Sequence, residues 1–164
     1  IKLSKSFHLK MVTKKELFES VEKRVRKDLR INKKIGKTIE LLDDGSKEFK
    51  VAMIMLQNIF GTNILIKKVK TKSKNAFIAT NLDKENKQNL ETYFKNKITK
   101  PRLTLLDNIL EEEIIAICEF KGIKSEKEIE DIFVEPIAKK HSEIKFSIAK
   151  SFHKIRELTV QNKK

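Results

Sequence analysis

Between Thr38 and Phe60 the spacing of apolar residues changes period. Ile39, Leu41 and Leu42 form a short apolar run, and Asp43-Asp44-Gly45-Ser46 interrupts it. Val51, Ile54, Met55, Ile59 and Phe60 then recur at helical spacing. The pattern predicts a strand, a tight glycine turn and a helix. Such a helix opens with backbone N–H groups that point toward whatever occupies the turn.

The same reading extends along the chain. Residues 1–12 are basic and weakly patterned, a short strand or arm. Thr13-Lys14-Lys15-Glu16 is a capping box, and the helix it opens, Lys14 to Arg30, carries Leu17, Val21, Val25 and Leu29 on one stripe. Lys23, Arg24, Arg26, Lys27 and Arg30 surround that stripe. Ile64-Leu65-Ile66 begins a second strand, and the loop after it holds Lys67, Lys68, Lys70, Lys72 and Lys74. Residues 75–80 read as a third strand, followed by a helix from Lys84 to Lys97 with Leu90 and Phe94 inward. Alternating strand and helix patterns argue for a parallel sheet. Arg102 to Leu106 is a short extended run, and Asp107 to Glu111 caps a helix that Gly122 ends. Ser125-Glu126-Lys127-Glu128 is a second capping box, ahead of Ile129, Ile132 and Phe133. The last helix, from Ser142 to Val160, shows Ile144, Ile148, Phe152, Ile155 and Leu158 as a buried stripe. Lys145, Lys150, Lys154 and Arg156 form its cationic face.

Composition adds a charge argument. The 164 residues carry a formal net charge of +14. An excess this large favours polyanions, chiefly nucleic acid. The basic helix 14–30, the lysine loop 67–74 and the cationic face of helix 142–160 are the candidate phosphate contacts. No apolar run reaches the roughly 20 residues of a membrane span. The opening residues IKLSKSFHLK have no signal-peptide core, so a cytoplasmic location is expected. The single cysteine, Cys118, falls on an apolar helix face and reads as a core thiol. His8, His141 and His153 are scattered, and no metal site is expected.

Asp44-Gly45-Ser46-Lys47-Glu48-Phe49 resembles the S-G-G-K-D-S loop of the PP-loop ATP pyrophosphatases. Ala79-Thr80-Asn81-Leu82-Asp83-Lys84-Glu85 is similar to the A-T-G-H-N-L-D-D-E motif of that superfamily's tRNA 2-thiolation branch, the thiouridine synthetases. Lys100-Pro101-Arg102-Leu103, the Glu111–Gly122 helix and the stretch Lys139 to Phe152 resemble its later motifs, in the same order. The first two segments stand closer together than in the family, as if one strand–helix unit were missing.

The resemblance implies a small Rossmann-like (HUP/PP-loop) α/β domain, a parallel sheet flanked by helices with a helical C-terminal third. It spans 1–164, with a basic helical segment at 1–34, an α/β core at 35–100 and a helical part at 101–164. By resemblance Asp44, Gly45, Ser46, Lys47, Glu48 and Asp83 are the nucleotide-side positions. Asp44, Ser46 and Phe49 depart from the loop where phosphate chemistry wants small or hydroxyl side chains. The family's cluster and zinc cysteines have no counterparts. The expectation is therefore a catalytically degenerate protein with no catalytic residues, binding tRNA or serving a catalytic PP-loop paralogue as accessory subunit. No resident cofactor is expected, ATP with magnesium being the only candidates. Two alternatives stay open: an active, ATP-dependent adenylating enzyme that takes sulfur from a partner, and a structural protein whose basic surface reflects its proteome.

Overall fold

A computed structural model describes residues 13–33, 35–98, 100, 102–125, 134–141 and 143–161, with residues 160 and 161 described by their backbone alone. The arm at residues 1–12 and the helix expected after Ser125 lie outside them. Strand β1 (Thr38–Leu42) runs between β2 (Leu65–Val69) and β3 (Ala76–Ala79), and β4 (Thr104–Leu105) pairs with β3. All three pairings are parallel, giving the order β2-β1-β3-β4. The helices are α1 (Lys14–Asn32), α2 (Lys47–Phe60), α3 (Leu82–Phe94), α4 (Glu111–Lys121), α5 (Glu135–Ala138) and α6 (Ile144–Gln161). The α/β architecture of a parallel sheet flanked by helices is the one its strand and helix periods predict.

Two compact units divide the chain. The first takes in Val12–Asn81 and Arg102–Lys127, and so contains the sheet with α1, α2 and α4. Thr13 opens α1 as a full capping box, accepting from the Glu16 N–H while the Glu16 carboxylate accepts from the Thr13 N–H at 2.8 Å. Leu17, Phe18, Val21, Val25 and Leu29 are buried along one side of α1. Burial of each such side chain is worth about 2 kcal/mol. They join Leu41, Val51, Met55, Leu56, Ile109, Ile114 and Ile117 in one core. Glu113 both caps α4 and ties it to α1: one oxygen accepts from the N–H of the N-cap Leu110 at 3.0 Å, and the other pairs with Arg24 of α1. Lys121 lies over the rings of Phe18 and Phe120, 4.2 and 4.9 Å from their centroids, fastening the far ends of α1 and α4. Gly122 ends α4 in the left-handed conformation, as the sequence predicts.

One connection departs from the usual rule. Strands β2 and β3 both run parallel to β1, on opposite sides of it, yet residues 70–75 alone join them. Parallel crossovers normally need a dozen or more residues, generally with a helix. The stagger of the pairing makes the short link possible, because Val69 lies opposite Leu42 whereas Ala76 lies opposite Glu40. Ser73 donates to the Glu40 carboxylate at 3.2 Å and fastens the link as it crosses. The lysine segment is also less of a loop than expected: Lys67 and Lys68 belong to β2, on the sheet edge.

The second unit contains α3, α5 and α6. Here the periodicity reading needs three corrections. Helix α3 begins at Leu82, and Phe94 at its end is exposed rather than inward. The apolar stripe of α6 is only half-buried, with Leu158 50% exposed. Lys145 leaves the cationic face. Its ammonium lies between the carboxylates of Asp83 and Glu135, 2.9 Å from the latter, with 17% of the side chain exposed. Asn86 of α3 donates to the Lys145 carbonyl at 2.7 Å, so α3 and α6 meet through this polar junction at one end. Tyr93 and Phe152 meet edge to face at the other, centroids 6.0 Å apart.

Candidate functional site

In open parallel sheets, ligands bind beyond the carboxyl ends of the strands, where the strand order reverses. In the order β2-β1-β3-β4 that point lies between β1 and β3. The residues there are the turn Asp43–Ser46 after β1 and Thr80–Asn81 after β3. The geometry of the turn follows from its sequence. Gly45 has φ of +73°, a left-handed conformation that glycine adopts without strain. Ser46 is the N-cap of α2, its hydroxyl accepting from the Phe49 N–H at 3.1 Å.

Two of the turn's N–H groups also have partners from within it. The Gly45 N–H donates to the Asp43 carboxylate at 3.2 Å, and the Ser46 N–H donates to the Asp44 carboxylate at 3.0 Å. Two aspartates thus present negative charge to the same N–H groups that a phosphate would seek. This is the local turn chemistry of aspartate, whose short side chain bonds the backbone two residues on. Of the two aspartates, the resemblance of the loop to S-G-G-K-D-S singles out Asp44 alone. The pairing of Asp43 with Gly45 was missed, although an Asp-Asp-Gly-Ser run signals it.

Lys47 and Glu48 sit beneath the turn in the first helical turn of α2, and both are buried. The Lys47 ammonium is 2.7 Å from a Glu111 carboxylate oxygen, with 7% of its side chain exposed. The Glu48 carboxylate is fully buried and accepts from Asn81 Nδ2 at 2.8 Å. Phe49, expected to crowd the turn, lies in the core, with Lys68 Nζ 5.9 Å from its ring centroid. Cys118 of α4 is a buried core thiol; burial pushes its pKa up, Glu48 adds to that, and Lys47 opposes it.

Of the nucleotide-side positions, Asp44, Gly45, Ser46, Lys47 and Glu48 therefore share one turn and helix start. Asp83 belongs to the second unit, where it pairs with Lys145. Among the basic candidates, Lys23, Lys27 and Arg30 of α1 are exposed. Arg24 pairs with Glu113, and Arg26 pairs with Glu22 at 2.8 Å. Lys67 and Lys68 are exposed on the edge strand, and Lys70, Lys72 and Lys74 are exposed on the short crossover. No helix among the described residues is long and apolar enough to cross a membrane.

No protein-family model matches the sequence, and no curated protein matches it. Among solved structures, the U34-tRNA thiolase NcsA from Methanococcus maripaludis, with its 4Fe-4S cluster, superposes with a TM-score of 0.71. The identity is 14%, over 94% of this chain and 84% of that one. A 4Fe-4S cluster is held by several cysteine thiolates. The one cysteine here is buried in α4, so this chain's residues do not fit such a group. Among the described residues no three histidine, cysteine, aspartate or glutamate side chains gather as a metal site. What is shared is the fold: the chain has the Rossmann-like parallel sheet and flanking helices seen in that tRNA thiolase.

Proposed function

We propose that the chain is a catalytically degenerate PP-loop protein that binds tRNA, as an accessory subunit of tRNA 2-thiolation alongside a catalytic PP-loop paralogue. The observation that carries the reading is the occupied turn. Asp43 and Asp44 accept from the Gly45 and Ser46 N–H groups, and Glu111 pairs with Lys47. A nucleotide phosphate bound at those two N–H groups would have to displace the carboxylates of Asp43 and Asp44. Like charges about 4 Å apart repel by roughly 1 kcal/mol in water and more where solvent is excluded. The likeness to a U34-tRNA thiolase supports tRNA as the polyanion.

The contact surface follows from the exposed cations. Lys70, Lys72 and Lys74 line the crossover, next to Lys67 and Lys68 on β2, and Lys23, Lys27 and Arg30 line α1. Such contacts position an RNA without reading its sequence. The test is equilibrium binding of a tRNA transcript over a range of salt. Log affinity should fall linearly with log salt, and replacing Lys70, Lys72 and Lys74 by alanine should flatten the slope by about 0.7–0.9 per lysine that meets a phosphate. Binding no tighter than to an uncharged matrix would refute the reading.

A further inference from the structure

The second unit exposes two adjacent aromatic rings at the end of α3. Tyr93 is 55% exposed and Phe94 63% exposed. Aromatic side chains gain stability from burial, so adjacent exposed rings are poor structural choices. Tyr93 is nevertheless held in place. Its ring lies 6.0 Å from that of Phe152 on α6 at 74° between planes, and 6.4 Å from that of Phe94. Asn96, with φ of +54°, turns the chain immediately afterwards, and its N–H donates to the Tyr93 carbonyl at 2.9 Å. Lys95 and Lys97 flank that turn and are exposed.

A positioned ring with solvent on it, next to ammonium groups, is the arrangement that holds a single-stranded nucleotide: the base stacks while a cation meets the phosphate. Protein interfaces are also rich in aromatic residues but poor in lysine, and here two exposed lysines adjoin the rings. We propose that Tyr93 and Phe94 form a stacking platform for unpaired RNA bases, with Lys95 and Lys97 contacting the adjoining phosphates. The proposal rests on the RNA-binding reading and adds to it a site that distinguishes unpaired from paired RNA.

The composition provides a direct probe. The chain has no tryptophan and one tyrosine, so tyrosine emission reports Tyr93 alone. Titration of the wild-type chain with single-stranded oligouridylate, and with a tRNA transcript, should quench that emission saturably. A fully paired RNA duplex of equal phosphate count should bind with little quenching. Tyr93→Ala should weaken oligouridylate binding about tenfold with an unchanged salt slope, and Tyr93→Phe should restore it. Tyr93→Leu keeps an apolar contact for Phe152, and its binding should also fall. If RNA binds the wild type yet emission is unaltered and all three variants bind alike, the platform is refuted while RNA binding stands. If no RNA binds at all, both fail. Emission that changes with protein concentration alone would overturn the proposal in favour of self-association.

Discussion

Asn81 and Glu48 hold each other in the interior of the first unit, amide nitrogen to carboxylate at 2.8 Å, neither with exposed surface. The pair joins the end of β3 to the start of α2 across the point where the strand order reverses. Asn81→Leu removes a donor from a buried carboxylate while keeping the volume nearly constant. The expected cost is about 2 kcal/mol, read as a lower urea midpoint. Glu48→Gln in the same background should recover part of the loss, because the acceptor is then neutral. An unchanged midpoint for Asn81→Leu would show that the pair does not stabilise the fold.

Lys47 should behave as a structural cation rather than a ligand-binding one. Its ammonium is 2.7 Å from Glu111, and both side chains are mostly buried. Glu111→Gln should destabilise the chain by about 3 kcal/mol, since it removes a carboxylate 2.7 Å from a buried ammonium. The double variant Lys47→Met/Glu111→Leu should cost less than the sum of its parts, because exchanging a buried pair for apolar residues is often close to neutral. Additive urea-unfolding energies would contradict this.

How much of this was legible in sequence varies with the kind of signal. The β1–turn–α2 opening was, because Ile39 and Leu41, the glycine and the spacing from Val51 onward each specify one local geometry. The Thr13 capping box was legible for the same reason. The fates of Phe94, Leu158 and Lys145 were not. Periodicity tells which residues share a helix face but not whether another element covers it. Lys145 is an ordinary position on a basic face until Asp83, distant in sequence, and Glu135 of α5 converge on it. Asp43 and Asp44 were readable as turn formers, yet their occupation of the Gly45 and Ser46 N–H groups emerges only from side-chain orientation.

Lys145 gives a pH prediction. Burial pulls its pKa down, but hydrogen bonds and charge from Asp83 and Glu135 outweigh this and hold it above the ordinary lysine value of 10.5. A group whose folded pKa is raised stabilises fully below its unfolded pKa and loses that contribution as pH climbs through the folded value. Lys145→Met should therefore cost on the order of 2 kcal/mol at neutral pH. The gap between variant and wild type should narrow only above about pH 10.5. Urea unfolding across this range checks it; a gap that closes between pH 6 and 9 would show that another group is responsible.

In the turn after β1 the Gly45 and Ser46 N–H groups are met by Asp43 and Asp44, and Lys47 is paired with Glu111. Calorimetric titration of the wild-type chain with MgATP tests this in one measurement. The predicted result is no saturable heat at millimolar nucleotide. Saturable binding that Lys47→Ala abolishes would contradict it and make the turn a working nucleotide site.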